Sequence, residues 1–228
     1  SALALVPVLV TREPVAPAPE SIGPGMLRGF LGQPGMRSWL LTIAAFKFGE
    51  ASATAMLRPL FVDRDLSLVA LGWITGTAGF IAGLVGAMIG GALVGAYGRY
   101  RMLVISGLLQ AVAVASYALL ALGPLDLTRV YVICILEHLA SGMATAALFT
   151  MMMDATRPHA AGTDYTAQAS VVVLATGIAS AFSGFSAQTL GYPAHFGLAA
   201  ALCLAATGQV LVHRARVRRG QAVVAVLP

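Results

Sequence analysis

Six apolar runs, each long enough to cross a bilayer as a helix, leave this sequence few folds to choose from. They lie at 38–61, 67–96, 102–122, 130–153, 165–188 and 195–213, and a bilayer core needs about 20 apolar residues in helical form. The alternation of period two expected of a membrane barrel is absent, so the runs predict helices. Short polar breaks separate them, with turn chemistry at Asp63-Arg64-Asp65, Gly123-Pro124, Arg157-Pro158 and Gly191-Tyr192-Pro193. Hydrophobic residues make up 58% and charged residues 10% of the 228, against roughly 25% charge in a soluble domain. That excludes a water-exposed globule and a disordered chain. Cys134 and Cys203 both sit inside apolar runs and offer no disulfide framework.

The basic residues give an orientation. If the loop after the second run is cytoplasmic, that side holds Arg12, Arg28, Arg37, Arg99, Arg101, Arg157, Arg214, Arg216, Arg218 and Arg219. The other side holds Arg64 and Arg129, while Lys47 and Arg58 fall inside a run. Ten against two is a positive-inside signal, so both ends of the six-helix unit are expected in the cytoplasm. The net charge of +5 follows from this asymmetry and does not call for a nucleic-acid partner.

Four regions follow. Residues 1–11 read as the end of a preceding membrane helix. Residues 12–37, with Pro14, Pro17, Pro19 and Pro24, read as a cytoplasmic linker that is neither helical nor buried, although 26–39 could lie along the membrane surface. Residues 38–213 form the six-helix bundle, and 214–228 a basic cytoplasmic tail that meets anionic lipid. The simplest account is one half of a larger membrane protein, with the preceding half as its partner.

Charged residues at membrane depth are costly, at least ~2.5 kcal/mol each, and mark candidate sites. Lys47 and Glu50 stand three apart on one helical face and can partly neutralise each other. They predict either a wet cavity in which Glu50 exchanges a proton, or a structural ion pair. Arg58, near the outer end of the same run, suits an anionic ligand or snorkels to the headgroups. Glu137 and His138 are adjacent in the fourth run. They suit a proton relay, or hydrogen bonds to a neighbouring helix, and point too far apart to chelate one metal well. Tyr165 and Gln168, one turn apart, could touch a ligand or cap the packing, and Thr163 or Asp164 could cap their helix.

Small residues form stripes. Gly72, Gly76, Gly79, Gly83, Gly86 and Gly90 are spaced four, three, four, three, four, and Gly177, Ser180, Gly184 and Ala187 three, four, three. Such stripes let a second helix approach closely and, in a transporter, rock. There is no Walker A loop, no nucleotide fingerprint and no Ser/His/Asp arrangement on matching faces, so neither an ATP-driven pump nor a membrane hydrolase has support.

Gly91-x-Leu93-x-x-x-x-Gly98-Arg99-x-Arg101 resembles the signature turn between the second and third helices of each half of a major facilitator superfamily transporter. Gly95 stands where that pattern has an aspartate and Ala96 where it has an arginine. Lys47-x-Gly49-Glu50, Glu137-His138-x-x-Ser-Gly-Met143 and Gly162-Thr163-Asp164-Tyr165-Thr-Ala-Gln168 resemble the branch that holds the AmpG-type muropeptide permeases and the RhtX/FptX-type siderophore importers. Ala55-Met-Leu-Arg58-Pro59 and Met153-Asp154 are more similar to the siderophore importers.

The resemblance implies an all-α integral membrane fold, six helices as a 3+3 inverted repeat and one half of a twelve-helix transporter of the bacterial inner membrane. It implies a secondary transporter, not an enzyme, with the first and fourth helices lining a central cavity. The expected activity is proton-driven import of a ferric siderophore or similar organic solute by alternating access, with muropeptide uptake as the nearest alternative. A non-transporting membrane subunit is the rival of another class. Lys47, Glu50, Arg58, Glu137, His138, Tyr165 and Gln168 are the expected substrate-binding or proton-coupling residues, and Gly91, Gly98, Arg99 and Arg101 the cytoplasmic gate. No cofactor and no resident metal are expected; iron would enter only within a chelated substrate.

Overall fold

A computed structural model of the chain describes residues 24–124 and 126–220. The expected end of a preceding helix at 1–11, residues 12–23 of the linker and the last eight residues lie outside the described residues. A short helix α1 (Pro24–Leu31) precedes six helices long and apolar enough to cross a membrane: α2 (Met36–Asp63), α3 (Leu68–Tyr97), α4 (Arg99–Leu122), α5 (Leu127–Asp154), α6 (Ala161–Leu190) and α7 (Tyr192–Arg218). No strand occurs among the described residues. The loops that follow α3 and α5 lie at one end of the bundle with the start of α2 and the end of α7, and we call this the basic end.

The packing has the symmetry of a 3+3 repeat. The strongest contacts join α3 to α5, α4 to α7, α2 to α6, α2 to α7 and α4 to α5. Exchanging the triplet α2–α4 with α5–α7 turns α3–α5 into α6–α2, turns α2–α7 into α5–α4, and leaves α4–α7 in place. Each packed pair thus has its counterpart, as internal repeats require.

The glycine row works over part of its length. A Cβ on Gly86 would stand 2.1 Å from the Leu139 carbonyl oxygen, and one on Gly142 of α5 would stand 2.1 Å from that of Gly83. The two backbones meet at this seam, and in lipid such contact replaces hydrophobic drive. Gly72 and Gly76 do not join it. They lie in a π-helical stretch, Gly72–Ala78, and have open space around them. The stripe on α6 is also unused in packing, since Gly177 and Gly184 face open space.

Several boundaries depart from expectation, for a common reason: helices here continue past their apolar runs into polar ends. Pro24–Leu31 is helical where a non-helical linker was expected, with Phe30 fully buried. Met36 and Trp39 are buried inside the bundle instead of lying on a surface. α4 begins at Arg99 directly after Gly98, whose φ of 83° makes the turn in a single residue. Arg214, Arg216 and Arg218 belong to α7, so the basic segment expected as a tail from 214 begins as helix. Arg216 donates to the Ser38 hydroxyl (3.0 Å), and Arg214 lies 5.8 Å over the Tyr100 ring.

Candidate functional site

At the basic end the helices are tied by ion pairs and one amide. Arg99, at the signature turn, pairs with Asp154 at the end of α5. Gly95 cannot supply the carboxylate that the signature pattern places there, and Asp154 brings one to this turn from another helix. Arg157 grips Asp164 through Nε at 2.8 Å and Nη2 at 2.7 Å, and donates to the Met26 carbonyl at 2.9 Å, which docks α1. Asp164 therefore does not cap α6. The residue before that helix is Ala160, with no side-chain cap, and Asp164 is spent on Arg157.

Gln168 is fully buried. Its Oε1 accepts from the Trp39 indole at 2.7 Å, and its Nε2 donates to the carbonyls of Met152 (3.0 Å) and Asp164 (3.2 Å). Of the two roles open to it, the geometry is that of a packing strut. Tyr165 packs against the hydrophobic cluster that includes Trp39 and Met152. Gly91 has open space around it. Arg101 is exposed one turn into α4.

The middle of the bundle is different. Lys47 on α2 pairs with Glu50 one turn on and donates to Thr145 of α5 at 3.2 Å. Ser141 of α5 donates to the other Glu50 oxygen. Both oxygens of this carboxylate are thus occupied, by side chains from two helices. Glu137, 2% exposed, accepts from the Tyr117 hydroxyl of α4 at 2.7 Å and lies 3.1 Å from His138 Nδ1 through the same oxygen, Oε2. Its Oε1 is buried without a partner among the described residues. Sequence reasoning missed Tyr117, which sits within the apolar third run. A phenol buried in lipid needs a polar partner, and that is the signal that could have paired it with a membrane-depth carboxylate.

Beside these groups, toward the end opposite the basic loops, lies a cavity of about 400 Å³. Its lining includes Thr54 and Arg58 of α2, Thr75 of α3, His138 of α5 and Ser180 of α6. Two backbone irregularities border it. Pro59 has no N–H to give the Ala55 carbonyl, and Ala55 lines the cavity; Thr75 lies in the π-helical stretch. Irregular backbone at membrane depth is tolerated where it borders a cavity. The Arg58 guanidinium is exposed and has no hydrogen-bond or ion-pair partner among the described residues. The structure therefore gathers Arg58 and His138 at one cavity, holds Lys47, Glu50 and Glu137 nearby, and leaves Tyr165 and Gln168 apart.

The profile of the Major Facilitator Superfamily matches residues 1–180 and 39–224, most of the chain. The chain belongs to this superfamily. Similar proteins include the anhydromuropeptide permease of Escherichia coli K12, 33% identical over 150 residues, which are 65% of this chain and 29% of that protein. Another is the putative transporter AmpG 4 of Rickettsia conorii, 23% identical over 157 residues, 69% of this chain and 38% of that protein. The match thus spans about a third of the length of these relatives. With six membrane helices and permease- and transporter-named relatives, the chain is a multi-pass membrane protein of a transporter family.

Proposed function

We propose that this chain is the C-terminal half of a twelve-helix importer of the bacterial inner membrane, which carries a muropeptide-like solute inward at the expense of the proton gradient. The observation that carries the reading is the cavity itself. An unpaired guanidinium, an imidazole and three hydroxyls converge on it, next to a carboxylate held by a lysine. A sugar-peptide offers matching chemistry: carboxylates for Arg58 and hydroxyl and amide groups for Thr54, Thr75 and Ser180. The likeness to an anhydromuropeptide permease supports the same substrate class. The open stripe on α6 is the face on which a second six-helix half would close the cavity. The ten-to-two distribution of basic residues supports a cytoplasmic basic end.

Glu50 is the first candidate for the coupling proton and Glu137 the second. Protonation of Glu50 would dissolve its pair with Lys47 and free that ammonium for a substrate carboxylate, so that proton and solute load together. The ferric siderophore reading keeps one observation in its favour: the unpaired Arg58 also suits an anionic iron chelate.

Titration of the full-length protein, followed by Trp39 and Trp73 fluorescence, separates the two. Saturable binding of anhydromuropeptide, weakened about tenfold or more in Arg58→Ala, is expected; one charge-assisted contact is worth about 1.5–3 kcal/mol. Saturation by a ferric phenolate siderophore instead would move the protein to the sibling branch. No binding of either would overturn the substrate class.

A further inference from the structure

We infer that protons arriving from the cavity are taken up at Nε2 of His138, beside the buried Glu137, because the ring is locked with its Nδ1–H turned inward and its other nitrogen open on the cavity. Three contacts make the lock. Nδ1 lies 2.9 Å from the Cys134 carbonyl oxygen, which can only accept, so Nδ1 carries the hydrogen. The same Nδ1 lies 3.1 Å from Glu137 Oε2, whose other donor is the Tyr117 hydroxyl. Nε2 has no partner among the described residues, and the ring lines the cavity whereas Glu137 does not. A neutral imidazole with Nδ1 protonated has its lone pair on Nε2, so Nε2 is the atom that takes a proton arriving from the cavity.

That proton is accounted for simply. It adds to the Nε2 lone pair, and the imidazolium so formed faces the Glu137 carboxylate across Nδ1 as a net-neutral pair in a region where a lone charge is costly. The contrast with Glu50 is direct, since both of its oxygens are already engaged by Lys47 and Ser141. The ionisable groups around His138 are Glu137 and Cys134 on its own helix, Tyr117 on α4, and Glu50, Lys47 and Arg58 on α2. The neighbours from α3 and α6 are Gly79, Thr75 and Ser180, none of which titrates.

Gly79 supplies an independent observation. A Cβ there would stand 2.7 Å from both Nε2 and Cδ2 of His138. The absence of a side chain at the end of the π-helical stretch is what gives the open nitrogen its room. Gly79→Ala therefore displaces the ring without removing any ionisable group.

The test is nitrogen-15 histidine NMR of the ligand-free full-length protein, with the His138 signal assigned by its loss in His138→Gln. The expected result is a neutral ring protonated at Nδ1, with Nε2 taking up a proton on acidification. Glu137→Gln should move this titration about one unit or more to lower pH, since it removes the facing carboxylate. Gly79→Ala should displace the Nε2 resonance and the acid limb of uptake, which a merely structural glycine would leave in place. A neutral ring protonated at Nε2 overturns the inference. So does a ring still neutral at about pH 4, or a titration that neither variant moves. Only the uptake readout rests on the proposed proton-driven import. The NMR uses no solute, so the expected titration without solute binding would count against the substrate reading alone.

Discussion

Two carboxylates sit at similar depth in this bundle and are treated in opposite ways. Glu50 has a lysine on one oxygen and a serine on the other, drawn from two helices. Glu137 is the more deeply buried, has a phenol and an imidazole crowded on one oxygen, and has no partner for the other among the described residues. A fully partnered buried pair resists change until one member is neutralised, whereas an incompletely partnered group still has a bond to make. The difference suggests a division of labour: the Lys47–Glu50 pair as the latch and the His138–Glu137 pair as the inlet.

The largest effect on stability should come from breaking the latch unevenly. Lys47→Met leaves Glu50 without its counter-charge, and such a loss costs about 3–5 kcal/mol when fully buried. Because these side chains are 12% and 13% exposed, the lower end is expected, read as a fall in thermal midpoint in detergent. Lys47→Met combined with Glu50→Leu should recover most of it. A double variant as unstable as the single would show that the pair is not a coupled unit.

Next in size, Tyr117→Phe removes a donor from Glu137 and should cost about 1–3 kcal/mol. Ser141→Ala, the matching deletion at Glu50, should cost less, about 0.5–1.5 kcal/mol, because Lys47 remains. Equal losses would erase the comparison. Smallest of all, Arg58→Ala should leave the thermal midpoint nearly unchanged, within about 0.5 kcal/mol, as for other partnerless exposed side chains. Its cost should appear in solute binding alone.

The sequence carried the six spans and the membrane-depth charges, because burial in lipid leaves a chain little freedom in those respects, while the 3+3 plan was legible only through the family resemblance. Helix ends were harder to read. Arginines at Arg99 and along Arg214–Arg218 look like loop residues in composition, yet their long stems let a helix continue into the headgroup region. Gln168 looked available to a ligand because its partner, Trp39, lies 129 residues away. The glycine row was legible as a packing device, but its two ends were not: nothing in the spacing separates Gly72 and Gly76, in the π-helical stretch, from Gly86 at the seam. Tyr117 acquires its role only when α4 and α5 are packed side by side.

The most direct test reconstitutes the full-length protein in liposomes and follows anhydromuropeptide accumulation under an imposed inward proton gradient. The account predicts accumulation that collapses with the gradient and is lost in Glu50→Gln, while Glu50→Gln still binds the solute. Accumulation that ignores the gradient, or that persists unchanged in Glu50→Gln, would contradict it.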